Sequence, residues 1–174
     1  YRLKLNKKAS LLGLPAKAKN WVLLANYCDK SLIRNAVAFE ISRQLDLEFS
    51  PSVRFVDVVL NGEYMGNYMM SDQVEVKENR VPVEEQAPED TEEPAITGGY
   101  LLELDGFAAS EPVWFQTPKG IKVTIKYPKD DEINVPQRDY ITQYTQSFEN
   151  RLFASDFSDP ATGYRALVDT TTLI

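Results

Sequence analysis

Histidine is absent from the 174 residues, and cysteine occurs once, at Cys28. Without an imidazole the chain has no Ser-His-Asp triad, no histidine general base and no histidine metal ligand. One thiol can neither close an internal disulfide nor build a thiolate zinc site. Any metal held here would be a hard cation bound by carboxylates and carbonyls. Long apolar runs are also missing. None approaches the roughly 18 residues of a membrane span, and the opening YRLKLNKK lacks the pattern of a secretory signal. The single cysteine leaves cytosolic and secreted settings both open.

What is present suffices for a folded domain. Hydrophobic residues make up 43% and aromatic residues 11% of the chain, a composition that folds. The length suits one domain with a real core better than two. The net charge of −7 hides a division. Residues 1–45 carry nine Lys/Arg against Asp29 and Glu40, a net of +7, and the rest of the chain carries −14. The basic block is either a surface patch on an acidic protein or an anion site built by the first segments. Nucleic acid is not the expected partner, because the acidic remainder would repel a duplex.

Periodicity then gives the elements. Residues 2–6, RLKLN, alternate as a strand, and SLLGLPAKAK reads as a loop. NWVLLANY is a short apolar segment whose pattern fits strand or helix. Asp29 or Ser31 is placed to cap a helix running to about Leu45. VRFVDVVL and EYMGNYMM flank Asn61-Gly62, the preferred type I′ hairpin turn. A two-residue loop would pair Val59 with Tyr64, Asp57 with Gly66 and Phe55 with Tyr68. Both faces are apolar enough to predict a hairpin covered on each side. Residues 77–97 are acidic and proline-bearing and read as a mobile, solvated loop. Strands follow at YLLELD and at Ile121–Tyr127. Pro136 opens a helix whose stripe is Tyr140, Ile141, Tyr144, Phe148 and Leu152. Asp169 caps a last helix that is only one turn old when the chain stops, so the sequence reads as a fragment. The expected class is α+β, an antiparallel sheet with flanking helices.

Arg34 stands out. At about 100° per residue, it projects from the stripe formed by Val37, Ala38, Ile41 and Leu45, with Asn35 beside it. Glu40, Arg43 and Gln44 lie elsewhere on the wheel. A buried cation needs compensation. Arg34 is therefore expected either to pair with a carboxylate such as Asp57 or to bind a phosphate near the helix start. Asn35 is expected to cap or to hydrogen-bond locally.

The blocks NWVLLANYCDKSLIRN and NGEYMGNY, together with YRLKLNKKASLLGLP, GGYLLELD, KYPK and YRALVD, resemble the CotH family, named for spore coat protein H. The resemblance runs through nearly the whole chain. Members are atypical, secreted or surface-associated bacterial protein kinases with a distant protein-kinase-like fold, so it implies phosphoryl transfer from ATP with Mg²⁺ to a protein substrate. In the family, the helix begun at Asp169 leads to a catalytic segment and a WDFD-like metal-binding stretch. Neither lies within these 174 residues, so the resemblance covers the N-terminal and middle part of one domain and carries over no catalytic residue.

Kinase chemistry rests on positioning and charge neutralisation around the phosphates, which names the remaining candidates. Lys4, on an amphipathic strand, is a phosphate contact, and Glu40 is the formal counterpart of a lysine-pairing glutamate. Asp72 and Gln73 would face adenine or ribose if SDQVEV is the hinge. Lys126 is a further phosphate contact. Glu103 and Asp105 share a strand face and are the paired carboxylates for Mg²⁺. A different reading is a non-catalytic binding module of a cell surface or coat. In either case an apolar face left by the truncation is expected to favour dimerisation.

Overall fold

The alternation that begins at Arg2 extends further than its first five residues, and strand β1 spans Arg2–Ala9. The ambiguous apolar segment is a strand, β2, Ala18–Leu24. It lies antiparallel to β1 with Leu3 opposite Trp21 and Lys4 opposite Asn20. Helix α1 (Arg34–Gln44) follows, then β3 (Val53–Leu60) and β4 (Glu63–Asp72). These elements form a first compact unit, Tyr1–Pro82, around a sheet of order β1-β2-β4-β3. The computed structural model describes residues 1–170 and Thr172.

The hairpin turn is as the sequence predicts: Asn61 and Gly62 take φ of 53° and 87°, as a type I′ turn requires. Val59 faces Tyr64 and Leu60 faces Glu63. Beyond them the register departs from simple counting. Val58 faces Gly66, Asp57 faces Asn67 and Phe55 faces Met69, so the expected pairs Asp57–Gly66 and Phe55–Tyr68 are one residue out. Met65 is the extra residue of a bulge, and Gly66 takes up the distortion at φ 105°.

Leu14, Ala16, Ala18, Trp21, Leu23 and Met70 form the core of this unit, with Val56, Val58 and Tyr68 packed against them. The hairpin is therefore covered on one face. Phe55, Val59 and Tyr64 stay exposed on the other, which corrects the expectation of cover on both sides. Helix α1 buries none of its residues, and Val37, Ile41 and Leu45 remain exposed. Periodicity finds which side chains share a face; it does not say what covers that face.

The second unit, Val83–Ile174, is built on a sheet of order β5-β7-β6, from β5 (Leu101–Leu104), β6 (Trp114–Gln116) and β7 (Lys122–Tyr127). Val123, Thr124 and Ile125 of β7 are buried. Helix α2 (Val135–Leu152) opens with a capping box in which Asn134 accepts from the Gln137 N–H and the Gln137 side chain accepts from the Asn134 N–H. Its buried residues are Ile141 and two polar ones, Gln137 and Glu149. The Gln137 amide donates to the carbonyls of Ala87 and Asp90 at 2.8 and 3.2 Å. Glu149 accepts from the Thr117 hydroxyl at 2.5 Å and the Lys119 N–H at 3.1 Å. Thus α2 ties down part of the acidic stretch that the sequence presents as a solvated loop. Within that stretch Arg80, Val81 and Ile96 are buried. Of the helix expected to start at Asp169, Asp169 is irregular and Thr170 lies in a turn, and residues 171, 173 and 174 lie outside the described residues.

Trp21 is fully buried at the centre of the first unit. Trp21→Ala is expected to destabilise that unit by about 3–5 kcal/mol, measured by urea unfolding followed by circular dichroism.

Candidate functional site

Helix α1 begins later than its sequence signals suggest. Ile33 occupies the N-cap position and contributes no side-chain bond. Asp29 serves the helix from five residues upstream. One carboxylate oxygen accepts the Arg34 N–H at 2.8 Å, and the other accepts the Ser31 N–H at 3.0 Å and hydroxyl at 2.6 Å. Between them the chain bends at Leu32, φ 61°, whose carbonyl accepts from the Asn26 amide at 2.9 Å. Asn26 in turn accepts from the Asn35 amide at 2.9 Å. The Ser31 hydroxyl, then the Arg34 N–H, hold the Asp29 carboxyl below its ordinary range.

Arg34 is not in the core. Its side chain is 79% exposed, with Nε 3.5 Å from an Asp29 oxygen. It does not pair with Asp57, which accepts instead from the Tyr64 hydroxyl at 3.2 Å and the Asn67 amide at 3.3 Å. The physical reason is position. Arg34 is the first helical residue, and the stripe it shares with Val37, Ile41 and Leu45 itself faces solvent. The expected burial and the expected pairing with Asp57 are both overturned; the carboxylate beside Arg34 is Asp29. Residues 24–29, Arg34 and Asn35 together line a recess of 420 Å³.

The other candidates are dispersed. Lys4 is exposed on β1 and its side chain makes no hydrogen bond or ion pair among the described residues. Glu40 is exposed on α1 and accepts from Arg43 at 2.9 Å and Gln44 at 3.1 Å, so it forms no pair with Lys4. The Arg43 guanidinium lowers the Glu40 carboxyl. Lys126 belongs to the second unit, where its ammonium lies 3.6 Å from both Glu103 and Glu111. Asp105 is engaged with the Phe107 N–H at 2.8 Å and the Thr124 hydroxyl at 3.2 Å. Glu103 and Asp105 therefore each have protein partners. No group of three carboxylate, histidine or cysteine residues able to hold a metal occurs among the described residues.

Asp72 and Gln73 were expected to meet adenine or ribose. Gln73 is half-buried at the end of β4. Asp72 is buried in the protein: one oxygen accepts the Ser52 N–H at 3.0 Å and the other lies 3.4 Å from Arg80 Nε. The buried arginine of this chain is thus Arg80, not Arg34. Its side chain is 0% exposed and its guanidinium stacks 5.1 Å from the Trp21 ring centroid. One terminal nitrogen bonds Glu75, and the other donates to the Asn20 carbonyl at 2.7 Å. Charge composition hid this residue, because it lies at the edge of an acidic run. No local sequence signal marks it: the turn at Asn79, φ 58°, and the pairing of Val81 with Val76 are visible only in the fold.

Two outcomes follow from these geometries. Arg80→Met leaves Asp72 buried without its cation and is expected to cost about 3–5 kcal/mol. Pairing it with Asp72→Leu is expected to recover part of that loss in urea unfolding. For Asp29 the folded carboxyl titrates below its unfolded value of 3.8, so its contribution is present above that value and is lost as pH falls through the folded one. The melting-temperature difference between wild type and Asp29→Ala is expected to be constant near neutrality and to shrink below about pH 4.

No curated protein and no solved structure matches the chain. The family model described as CotH kinase protein matches residues 1–174, and the chain belongs to that family.

Proposed function

We propose that this chain forms the nucleotide-side part of an ATP-dependent protein kinase acting outside the cell or at its surface, with Arg34 and Asn35 as phosphate contacts. The family match supports the reaction class. The observation that carries the site is Arg34 itself: a guanidinium 79% exposed, loosely held by one carboxylate at 3.5 Å, at the N-terminus of an eleven-residue helix. Helix N-termini favour anions, and a guanidinium offers paired donors to phosphate oxygens. Asp29 and the Asn26–Asn35 bond fix the backbone from which Arg34 projects, so only the side chain has to be ordered on a phosphate.

In this reading Arg34 neutralises phosphate charge and the Asn35 amide helps orient it. Positioning of the phosphates is what these residues supply to phosphoryl transfer. A binding module without chemistry is the second reading, favoured by the exposed Val37, Ile41, Phe55 and Val59.

Calorimetric titration with Mg-ATP tests the choice. Wild type is expected to bind and Arg34→Gln to bind about tenfold or more weakly, the loss of one charge-assisted contact of about 1.5–3 kcal/mol. Equal affinity in the two proteins would remove Arg34 from the site. No affinity in either would favour the binding module.

A further inference from the structure

The first unit ends on one side at β1, the edge of the sheet order β1-β2-β4-β3. Four cations lie on it, Arg2, Lys4, Lys7 and Lys8, and Lys17 and Lys19 lie at the entry to β2. All six are exposed, and none of their side chains has a hydrogen-bond or ion-pair partner among the described residues. No carboxylate side chain occurs before Asp29. A protein of net charge −7 thus concentrates six uncompensated cations on one hairpin.

The backbone of β1 is unpartnered on its outer side. The Tyr1 amine donates to the Leu23 carbonyl and the Leu23 N–H donates to the Tyr1 carbonyl, both at 2.8 Å. Tyr1 and Leu23 therefore form a hydrogen-bonded pair of the antiparallel ladder. By the alternation of such a ladder, the N–H and C=O of Arg2 and Lys4 point away from β2, toward the free edge. Lysine on an edge strand discourages pairing with a similar, equally basic strand. The same side chains attract a strand of opposite charge.

We infer that the β1 edge is a docking site for an extended acidic segment of a partner protein, bound by strand addition. Backbone bonds to Arg2 and Lys4 set the register, and the lysines select for Asp and Glu on the incoming strand. Charge alone would admit any polyanion. The free edge favours peptide, because only a peptide backbone supplies donors and acceptors at strand spacing. The site is separate from the recess at Arg34, so it stands or falls independently of the nucleotide reading.

The test is fluorescence anisotropy of a labelled eight-residue peptide of alternating Glu and Val, titrated with the full chain. An equally charged peptide interrupted by proline, a single-stranded oligonucleotide and anionic phospholipid vesicles serve as competitors. Binding is expected for the alternating peptide, about tenfold weaker for the proline-bearing one and about tenfold weaker for Lys4→Glu/Lys7→Glu/Lys8→Glu. Lys4→Gln/Lys7→Gln/Lys8→Gln, which removes charge without reversing it, is expected to fall between. An unchanged melting temperature in either variant ties the loss to the surface. Equal binding of the proline-bearing peptide would overturn strand addition. Stronger competition by oligonucleotide or vesicles, or undiminished binding by the glutamine variant, would overturn the acidic-peptide site.

Discussion

The Arg80 guanidinium is the point on which the first unit depends. It lies against the Trp21 ring and reaches Asp72 at the end of β4, Glu75 beyond it and the Asn20 carbonyl on β2. One planar cation thus fastens the two central strands and the segment that leaves them. Burying a charge is unfavourable unless attraction, hydrogen bonds and packing together offset it. Here carboxylates, a carbonyl and an indole do so, and none of them is free to move without exposing the others. The fold of residues 76–81, which holds no helix or named strand, follows from that constraint.

Charge is also organised along the chain in a way that the units reveal. Tyr1–Pro82 holds twelve Lys/Arg against nine Asp/Glu, while Val83–Ile174 holds seven against seventeen. Within the first unit four of the nine acids pair with cations: Asp29 with Arg34, Glu40 with Arg43, Asp72 with Arg80, and Glu75 with Arg80 and Lys77. The six cations before Trp21 are left over. Electrostatic imbalance of this kind contributes little to folding stability, since exposed charges are solvated. Its consequence lies in association, where unscreened fields set which partners approach.

Local chemistry was legible at many places where a local rule applied, although the expected Asp29 or Ser31 cap gives way to Ile33 at the N-cap position. The Asn61-Gly62 turn, the strand character of RLKLN and Lys122–Tyr127, and the Pro136 helix start all follow from two to six adjacent residues, and the structure bears them out. The long sequence blocks likewise place the chain in its family. What failed were inferences that need to know what lies opposite. Counting from the hairpin turn missed the Met65–Gly66 bulge, since one extra residue is invisible to alternation. The wheel placed Arg34 on an apolar stripe but could not show that the stripe faces solvent. Arg80 went unnoticed because its partners, Trp21 and Asn20, are some sixty residues away in sequence.

The two arginines separate what a charge does for folding from what it can do for function. Arg80 is wholly buried, with both terminal nitrogens bonded and its ring contact made, so a ligand could reach it only by dismantling the sheet ends. Arg34 has one partner at 3.5 Å and most of its surface in water, so a phosphate would replace solvent and not structure. The cost of rearrangement is therefore large at Arg80 and small at Arg34. A binding cation needs a rigid backbone beneath it and unfilled donors above it, and the Asp29 cap with the Asn26–Asn35 bond supplies the first condition while exposure supplies the second. By the same reasoning Asp72, though closest to the expected hinge, is a poor ligand: every displacement that would free its carboxylate takes from the buried Arg80 one of its two carboxylate partners and from the Ser52 N–H its acceptor.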